Sequence, residues 1–454
     1  MSMLTLAQAA EILEVPLQGA DGPFSSVSTD TRTLQPGALF VALQGPNFDG
    51  HAFIAAARDK GAAGALVSVP PESSLPWIRV EDTRLALGRL AAAWHERCAV
   101  PLLAVTGSNG KTTVKEMIAA ILAQQGPVLA TRGNLNNDIG MPLTLLSLRD
   151  ERFAVLELGA NHPGEIAYLT RIAQPDVAVI TNAGAAHLEG FGDLAGVARA
   201  KGEILAGLIR SGTAILNADD PYLGYWRELA NGKRVLTFGF DVAADVQATP
   251  AAVETRWTES GFQTRVLVRS PAGEFTLRLQ LAGEHNLRNA LAASAACLAL
   301  QIPVTSIQQG LAGVQPVAGR LQTRLTATGL RVIDDSYNAN PDSVNAAIKV
   351  LQSAPGRHWL VMGDLAELGE AAVSLHAGIG ERARAAGIDR LWCCGPLSRA
   401  AVEQFGPNGR HFEDRETLAA ALNQAVRVGD TVLVKGSRSS RMEQVVAALL
   451  AGGN

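Results

Sequence analysis

Cysteine is scarce in this chain: four in 454 residues, at Cys98, Cys297, Cys393 and Cys394. Their spacing fits neither a zinc site nor a disulfide framework. The adjacent pair follows Arg390-Leu391-Trp392, a strand-like run, and is read as buried reduced thiols. Basic excess is missing too. The 39 Lys and Arg against 43 Asp and Glu leave a net charge of -4, and no basic run stands out, so nucleic acid is not expected as a partner. No stretch of about 18 apolar residues free of charge occurs, and the first residues lack a charged region followed by an apolar one. The expectation is a cytoplasmic protein without membrane insertion. Repeats of about 20–50 residues and low-complexity tracts are absent as well.

What is present is apolar and balanced: 47% hydrophobic and 18% charged, with a mean hydropathy of +0.13. Such a chain buries several cores, and its length predicts about two to four domains. Short apolar runs alternate with Ala- and Leu-rich helical patterns, which argues an α/β protein with mainly parallel sheets. Three units are expected: residues 1–81, 82–313 and 314–454. The first carries a helix at Thr5 to Leu13, strands at Leu39–Leu43 and Ala65–Val69, and a loop at Pro70-Pro71-Glu72-Ser73-Ser74. Asp82-Thr83 reads as the start of a helix through Arg97. The second has strands at Leu102–Thr106, Phe153–Leu156, Val177–Ile180 and Thr213–Leu216, each running into polar or Gly-rich residues, where open α/β sheets carry ligand loops. Partial alternation across residues 234–281 predicts an antiparallel segment. The third unit, with strands at Arg331–Ile333, Trp359–Met362, Leu391–Cys393 and Val432–Val434, reads as a smaller doubly wound domain.

The strongest local signal is Gly107-Ser108-Asn109-Gly110-Lys111-Thr112-Thr113, between a strand and a helical run. Its backbone N–H groups are suited to cradle phosphate oxygens at a helix N-terminus. Lys111 adds a point charge, and Thr112 is placed to ligate magnesium. The standard phosphate loop has a further glycine five residues before Gly110; here that position is Val105. Glu157 ends a neighbouring strand, where a carboxylate helps to hold a metal ion. His187 lies in a small-residue loop past another strand. A lone histidine or lysine is more often structural, and Lys201 by pattern alone is an ordinary surface lysine.

Taken in order, Lys111, Glu157, His187 and Lys201 resemble the pattern of the Mur ligase family. The resemblance continues through Glu284-His285-Asn286-Leu287-Arg288-Asn289-Ala290, Gly319-Arg320 and Asp334-Asp335-Ser336-Tyr337-Asn338-Ala339-Asn340-Pro341, so it covers nearly the whole chain. It implies three domains: a small N-terminal UDP-sugar-binding domain, a central ATP-binding parallel-sheet domain with the antiparallel segment, and a C-terminal Rossmann-like domain. It also implies ATP and Mg2+, with Thr112, Glu157, His187 and a carbamylated Lys201 around the metal. Asn286 would contact adenine, Asp335 (or Asp334) the ribose, and Arg320 the phosphates from the third domain.

Within the family, Asn134–Pro142, Glu157–Ile166, Tyr337–Asn340 and Gly363–Gly369 are similar to the branch that adds D-alanyl-D-alanine to UDP-N-acetylmuramoyl-tripeptide. The Asn-Pro-Arg motif of the diaminopimelate- or lysine-adding branch is missing. The resemblance assigns Ser28, Thr29, Asp30, Thr31 and Arg32 to the UDP-sugar substrate, and Asn136, Asn137, Asn338 and Asn340 to substrate binding. A monomer is expected. Competing readings are a folylpolyglutamate synthase-like ligase, a non-catalytic nucleotide-binding module, and a phosphate-loop motor or switch.

Overall fold

The computed structural model describes residues 2–184, 188–258 and 261–452. Its framework is three sheets of five, nine and six strands. In the first, the strands lie side by side in the order Leu17–Gln18, Trp77–Arg79, Gly64–Val67, Ala38–Val41 and Ser26–Ser28. Thr5 caps the opening helix Leu6–Leu13 through a capping box with Gln8, satisfying donors that the first turn leaves free.

Asp82 caps the next long helix, Thr83–Cys98, accepting from Arg84 N at 2.7 Å and Leu85 N at 3.0 Å. This helix joins the first two units. Leu87, Leu90, Ala91 and Trp94 are buried in one apolar core that includes Leu6 and Leu13 on one side and Met141, Leu145 and Ile172 on the other. Fully burying a leucine stabilises by about 1.5–3 kcal/mol, so several such residues fix the first unit to the second.

The nine-stranded sheet has the order Val128–Ala130, Phe153–Glu157, Leu102–Thr106, Val177–Ile180, Thr213–Asn217, Arg234–Gly239, Val246–Thr258, Gly261–Ser270, Gly273–Leu279. Its central strands are buried on both faces, which is why they read as unbroken apolar runs. Arg234–Gly239 corrects the expectation for residues 234–281. It pairs parallel with both Thr213–Asn217 and Val246–Thr258, and antiparallel pairing begins only between Val246–Thr258 and Gly261–Ser270. Alternation in the later strands had been extended over a strand whose Leu236, Thr237, Phe238 and Gly239 are all buried.

The third sheet runs Gln322–Leu325, Arg331–Asp335, Thr431–Lys435, His358–Gly363, Arg390–Cys394, Gly409–Phe412, parallel except for the first pair. All four cysteines are free, and three are buried. Among the described residues no helix is long and apolar enough to cross a membrane.

Candidate active site

In the nine-stranded sheet the chain leaves Leu102–Thr106 toward one edge and later resumes on its other side at Val177–Ile180. Loops after neighbouring strands diverge at such a reversal and open a crevice. A cleft of about 1200 Å³ lies there, also lined by the third sheet and by Arg84 and Leu85 of the joining helix.

The loop Gly107–Gly110 turns the strand into the helix Lys111–Leu122. Gly107 and Gly110 hold φ of 144° and 83°. A Cβ would collide with Thr181 Oγ1 at the first and with Asn289 Oδ1 at the second, so both positions demand glycine. No side chain caps the helix, which leaves the first-turn N–H groups available to an anion. Val105, where the longer phosphate loop has glycine, is buried inside the strand; the turn simply begins later, at Gly107. Asn109 N donates to Asn182 Oδ1 at 2.9 Å, and Asn109 O accepts from Thr181 Oγ1 at 2.7 Å. Lys111 Nζ lies over the loop, 2.7 Å from Gly107 O. Burial lowers its pKa and the Glu157 carboxylate opposes that shift. Thr113 lines the cleft beside it.

Glu157, the last residue of its strand, is buried. Oε2 accepts from Thr112 Oγ1 at 2.8 Å and Oε1 from Asn136 Nδ2 at 3.0 Å. Arg320 Nη2 crosses from the third domain to Thr112 Oγ1 at 3.0 Å. Its guanidinium lies 4.5 Å from the Tyr337 ring centroid, and its Nε is buried with no hydrogen-bond partner among the described residues. An orphaned cationic donor in a cleft beside uncapped amides suits a polyanion such as a nucleotide phosphate.

Lys201 sits in the helix Leu194–Gly202, only 1% exposed, with Nζ 5.2 Å from the Phe191 ring centroid. Burial, aided by the charge of Lys111, pushes its pKa down to about 7. A surface lysine it is not. His187 falls outside the described residues. Two residues beyond Lys201, Glu203 accepts from Gly164 N at 2.7 Å and Ala167 N at 3.1 Å. It thereby fixes the start of helix Glu165–Ala173 at the cleft wall.

Asn286 is buried on the cleft wall, with Nδ2 donating to Ala282 O at 2.8 Å. Asp335 and Lys435 are register partners at the ends of parallel strands, and Lys435 Nζ reaches Asp335 Oδ2 at 2.6 Å. Burial raises the Asp335 pKa while Lys435 holds it back. Asn338 Oδ1 accepts from Ala339 N at 2.9 Å. Asn340 caps the helix Pro341–Gln352. Asn137 Oδ1 accepts from Gly140 N at 2.8 Å.

Lys111, Thr112, Glu157, Asn136, Asn137, Asn286, Arg320, Asp335, Asn338 and Asn340 share one cleft; Lys201 and Glu203 do not line it. Ser28, Thr29, Asp30, Thr31 and Arg32 do not line it. They form a turn in which Ser28 Oγ donates to Asp30 O at 3.0 Å, and Arg32 Nη2 holds Asp30 Oδ2 at 2.7 Å. That hydrogen bond lowers the Asp30 pKa to about 2.

Sequence reasoning gave no role to Arg288, Tyr337 or Glu203. Arg288, on the cleft wall, pairs with Asp219 at 3.0 Å and with Asp241. The signal that would have found it was Glu284 four residues earlier, a helical ion-pair spacing. Glu203 carried no signal, because its partners are backbone amides 39 and 36 residues away in sequence.

Three domain families match: the Mur ligase family, catalytic domain, over residues 23–95; the Mur ligase middle domain over 105–297; and the Mur ligase, glutamate ligase domain, over 319–438. A UDP-N-acetylmuramoyl-tripeptide--D-alanyl-D-alanine ligase of Escherichia coli (strain K12) is 47% identical over 100% of both chains. Crystal structure I of MurF from Acinetobacter baumannii superposes with a TM-score of 0.92 at 36% identity, covering 99% of this chain and 100% of that one. The MurF ligase of Thermotoga maritima in complex with ADP gives 0.84 at 30% identity, covering 94% and 97%. Likeness of this degree, end to end and in all three sheets, leaves a single conclusion: the chain belongs to the Mur ligase family, whose members are ATP-dependent, amide-bond-forming ligases.

Proposed function

We propose that this chain joins D-alanyl-D-alanine to UDP-N-acetylmuramoyl-tripeptide at the expense of ATP, giving the pentapeptide precursor of peptidoglycan. The observation that carries the chemistry is the contact of Arg320, from the third domain, with Thr112 of the phosphate loop at 3.0 Å. It gathers cationic and amide donors of two domains on one anion-binding cleft. The acceptor is taken from the full-length relative named above.

A carboxylate is a poor electrophile, and amide formation in water is uphill. The tripeptide carboxylate oxygen attacks the γ-phosphorus of ATP, the P–O bond to ADP breaks, and an acyl phosphate forms. The neutral amine of D-alanyl-D-alanine then attacks the acyl carbon, loses a proton, and expels inorganic phosphate. Two anions must meet in the first step, so the work is positional and electrostatic. The loop amides and Lys111 hold the phosphates, and Arg320 neutralises charge where phosphoryl transfer occurs. Asn286 and Asp335 are placed for the base and ribose, and Asn136 orients Glu157.

Thr112, Glu157, His187 and carbamylated Lys201 would hold magnesium, which supplies further charge neutralisation. The fit rests on Thr112 Oγ1 and Glu157 already facing each other at 2.8 Å, an oxygen pair suited to a hard cation that keeps waters and phosphate oxygens as its other ligands. A buried lysine with a pKa near 7 has a neutral amine in reach of physiological pH, the form that adds carbon dioxide. We place the reaction in the cytoplasm, on a monomer.

Phosphate release from ATP and Mg2+ tests the proposal. It should require both UDP-N-acetylmuramoyl-tripeptide and D-alanyl-D-alanine. Release that responds to a folate and glutamate instead would favour the folylpolyglutamate reading, and ATP binding without any acceptor-dependent release would favour a binding module.

A further inference from the structure

Asn340 has both ends of its carboxamide engaged. Oδ1 accepts from Ser343 N at 2.8 Å, capping its own helix, and Nδ2 donates to Asn109 Oδ1 at 2.9 Å. Asn109 belongs to the phosphate loop, so the second bond joins two domains. The Asn109 backbone is itself pinned on both sides, by Asn182 and by Thr181. The same helical turn packs closely on the neighbouring loop: a Cβ on Gly184 would lie 2.9 Å from Asp342 Oδ2. A further crossing bond, from Arg320, lands three residues along from Asn109, on Thr112.

We infer that Asn340 is a positioning residue that latches the third domain onto the phosphate loop through Asn109, making closure depend on the shape of that loop. The orientation of the Asn109 carboxamide follows its backbone, and that backbone is part of the surface a phosphate binds. A hydrogen bond weakens steeply with distance and angle, so a loop displaced from this shape releases Asn340, and Arg320 withdraws with it. Asn340 therefore sets the fraction of closed molecules and leaves the reacting atoms to other residues. The inference rests on reading the cleft as the ATP site.

Asn340→Ser separates the two tasks. Serine keeps the helix cap and is too short to reach Asn109. Donor and acceptor dyes on the second and third domains of the full chain report the closed fraction, with and without ADP and Mg2+. The expected result is a closed-to-open ratio about fivefold lower than in the unaltered protein, the worth of one net hydrogen bond, with an unchanged unfolding midpoint. kcat should fall in parallel. Asn109→Ala should lower the ratio similarly, and the double variant should go no lower, because the two share one interaction. The latch is overturned if Asn340→Ser closes like the unaltered protein, or if the two effects multiply. Nucleotide binding is read separately by calorimetry. An unaltered protein that binds no ADP would overturn the functional reading, while the difference in closed fraction would still decide the latch.

Discussion

Single residues in this chain owe their chemistry to where the fold puts them. Lys201 is the clearest case. Its neighbours in sequence mark it as ordinary, yet it lies 1% exposed with its pKa lowered to about 7. Desolvation disfavours the ammonium, so the neutral amine dominates once pH rises above about 7, well below the range of an ordinary lysine. With labelled bicarbonate, a carbamate carbon signal in the 13C NMR spectrum should therefore build as pH is raised through about 7 and fade below it. Lys201→Arg should abolish the signal, since arginine stays protonated, and lower kcat by ~100-fold or more. A signal that titrates near pH 10 would contradict the burial argument. Gly110 makes the complementary point. With φ at 83° and Asn289 Oδ1 where a Cβ would stand, Gly110→Ala should weaken ADP binding by ~10–100-fold, the equivalent of about 1–3 kcal/mol of backbone strain. Calorimetry checks this; unchanged affinity would mean the loop has room that its geometry denies.

At the scale of elements, the strands and the loop between Thr106 and Lys111 were legible because their signals are local. Unbroken apolar runs mark strands buried on both faces, and the glycines mark the turn. Asp82 and Thr83 gave the helix start for the same reason: the cap and its amides lie within three residues. What stayed hidden depends on distant partners. The strand Arg234–Gly239 has the wrong local alternation for its parallel place, which only its neighbours at Thr213–Asn217 and Val246–Thr258 decide. Ser28 to Arg32, which the resemblance assigns to the UDP-sugar, form a turn held by its own hydrogen bonds. Glu203 holds the helix Glu165–Ala173 through Gly164 N and Ala167 N. Removing a side chain that satisfies helix-start amides costs about 1–2 kcal/mol. Glu203→Ala should thus lower the unfolding midpoint and raise KM for the UDP-tripeptide more than KM for ATP, because the loosened turn lines the cleft wall. Equal effects on both constants would argue against a local role.

The whole molecule places one cleft where the second and third sheets meet beside the helix that joins the first unit. Its cationic and amide groups come from the loops after Thr106, Ile180 and Asp335 and from Arg320, just ahead of the strand Gln322–Leu325, so no single domain is competent alone. Resemblance of ordered motifs made this layout readable in sequence. The reach of Arg320 from the third domain was part of that layout; the partners on which the crossing bonds land, Thr112 and Asn109, were not, because they lie 208 and 231 residues away and meet them only through packing of separate domains. Arg320→Ala should leave ADP bound to the second domain while lowering kcat by ~100–1000-fold, the loss expected for one preorganised donor at developing charge.

The central claim is that the tripeptide carboxylate becomes an acyl phosphate in this cleft, and the fate of one oxygen atom tests it. UDP-N-acetylmuramoyl-tripeptide labelled with 18O in its terminal carboxylate should deliver one labelled oxygen to the inorganic phosphate at each turnover with D-alanyl-D-alanine, as read by mass spectrometry. Phosphate free of the label, with the amide product formed at the normal rate, would contradict the account.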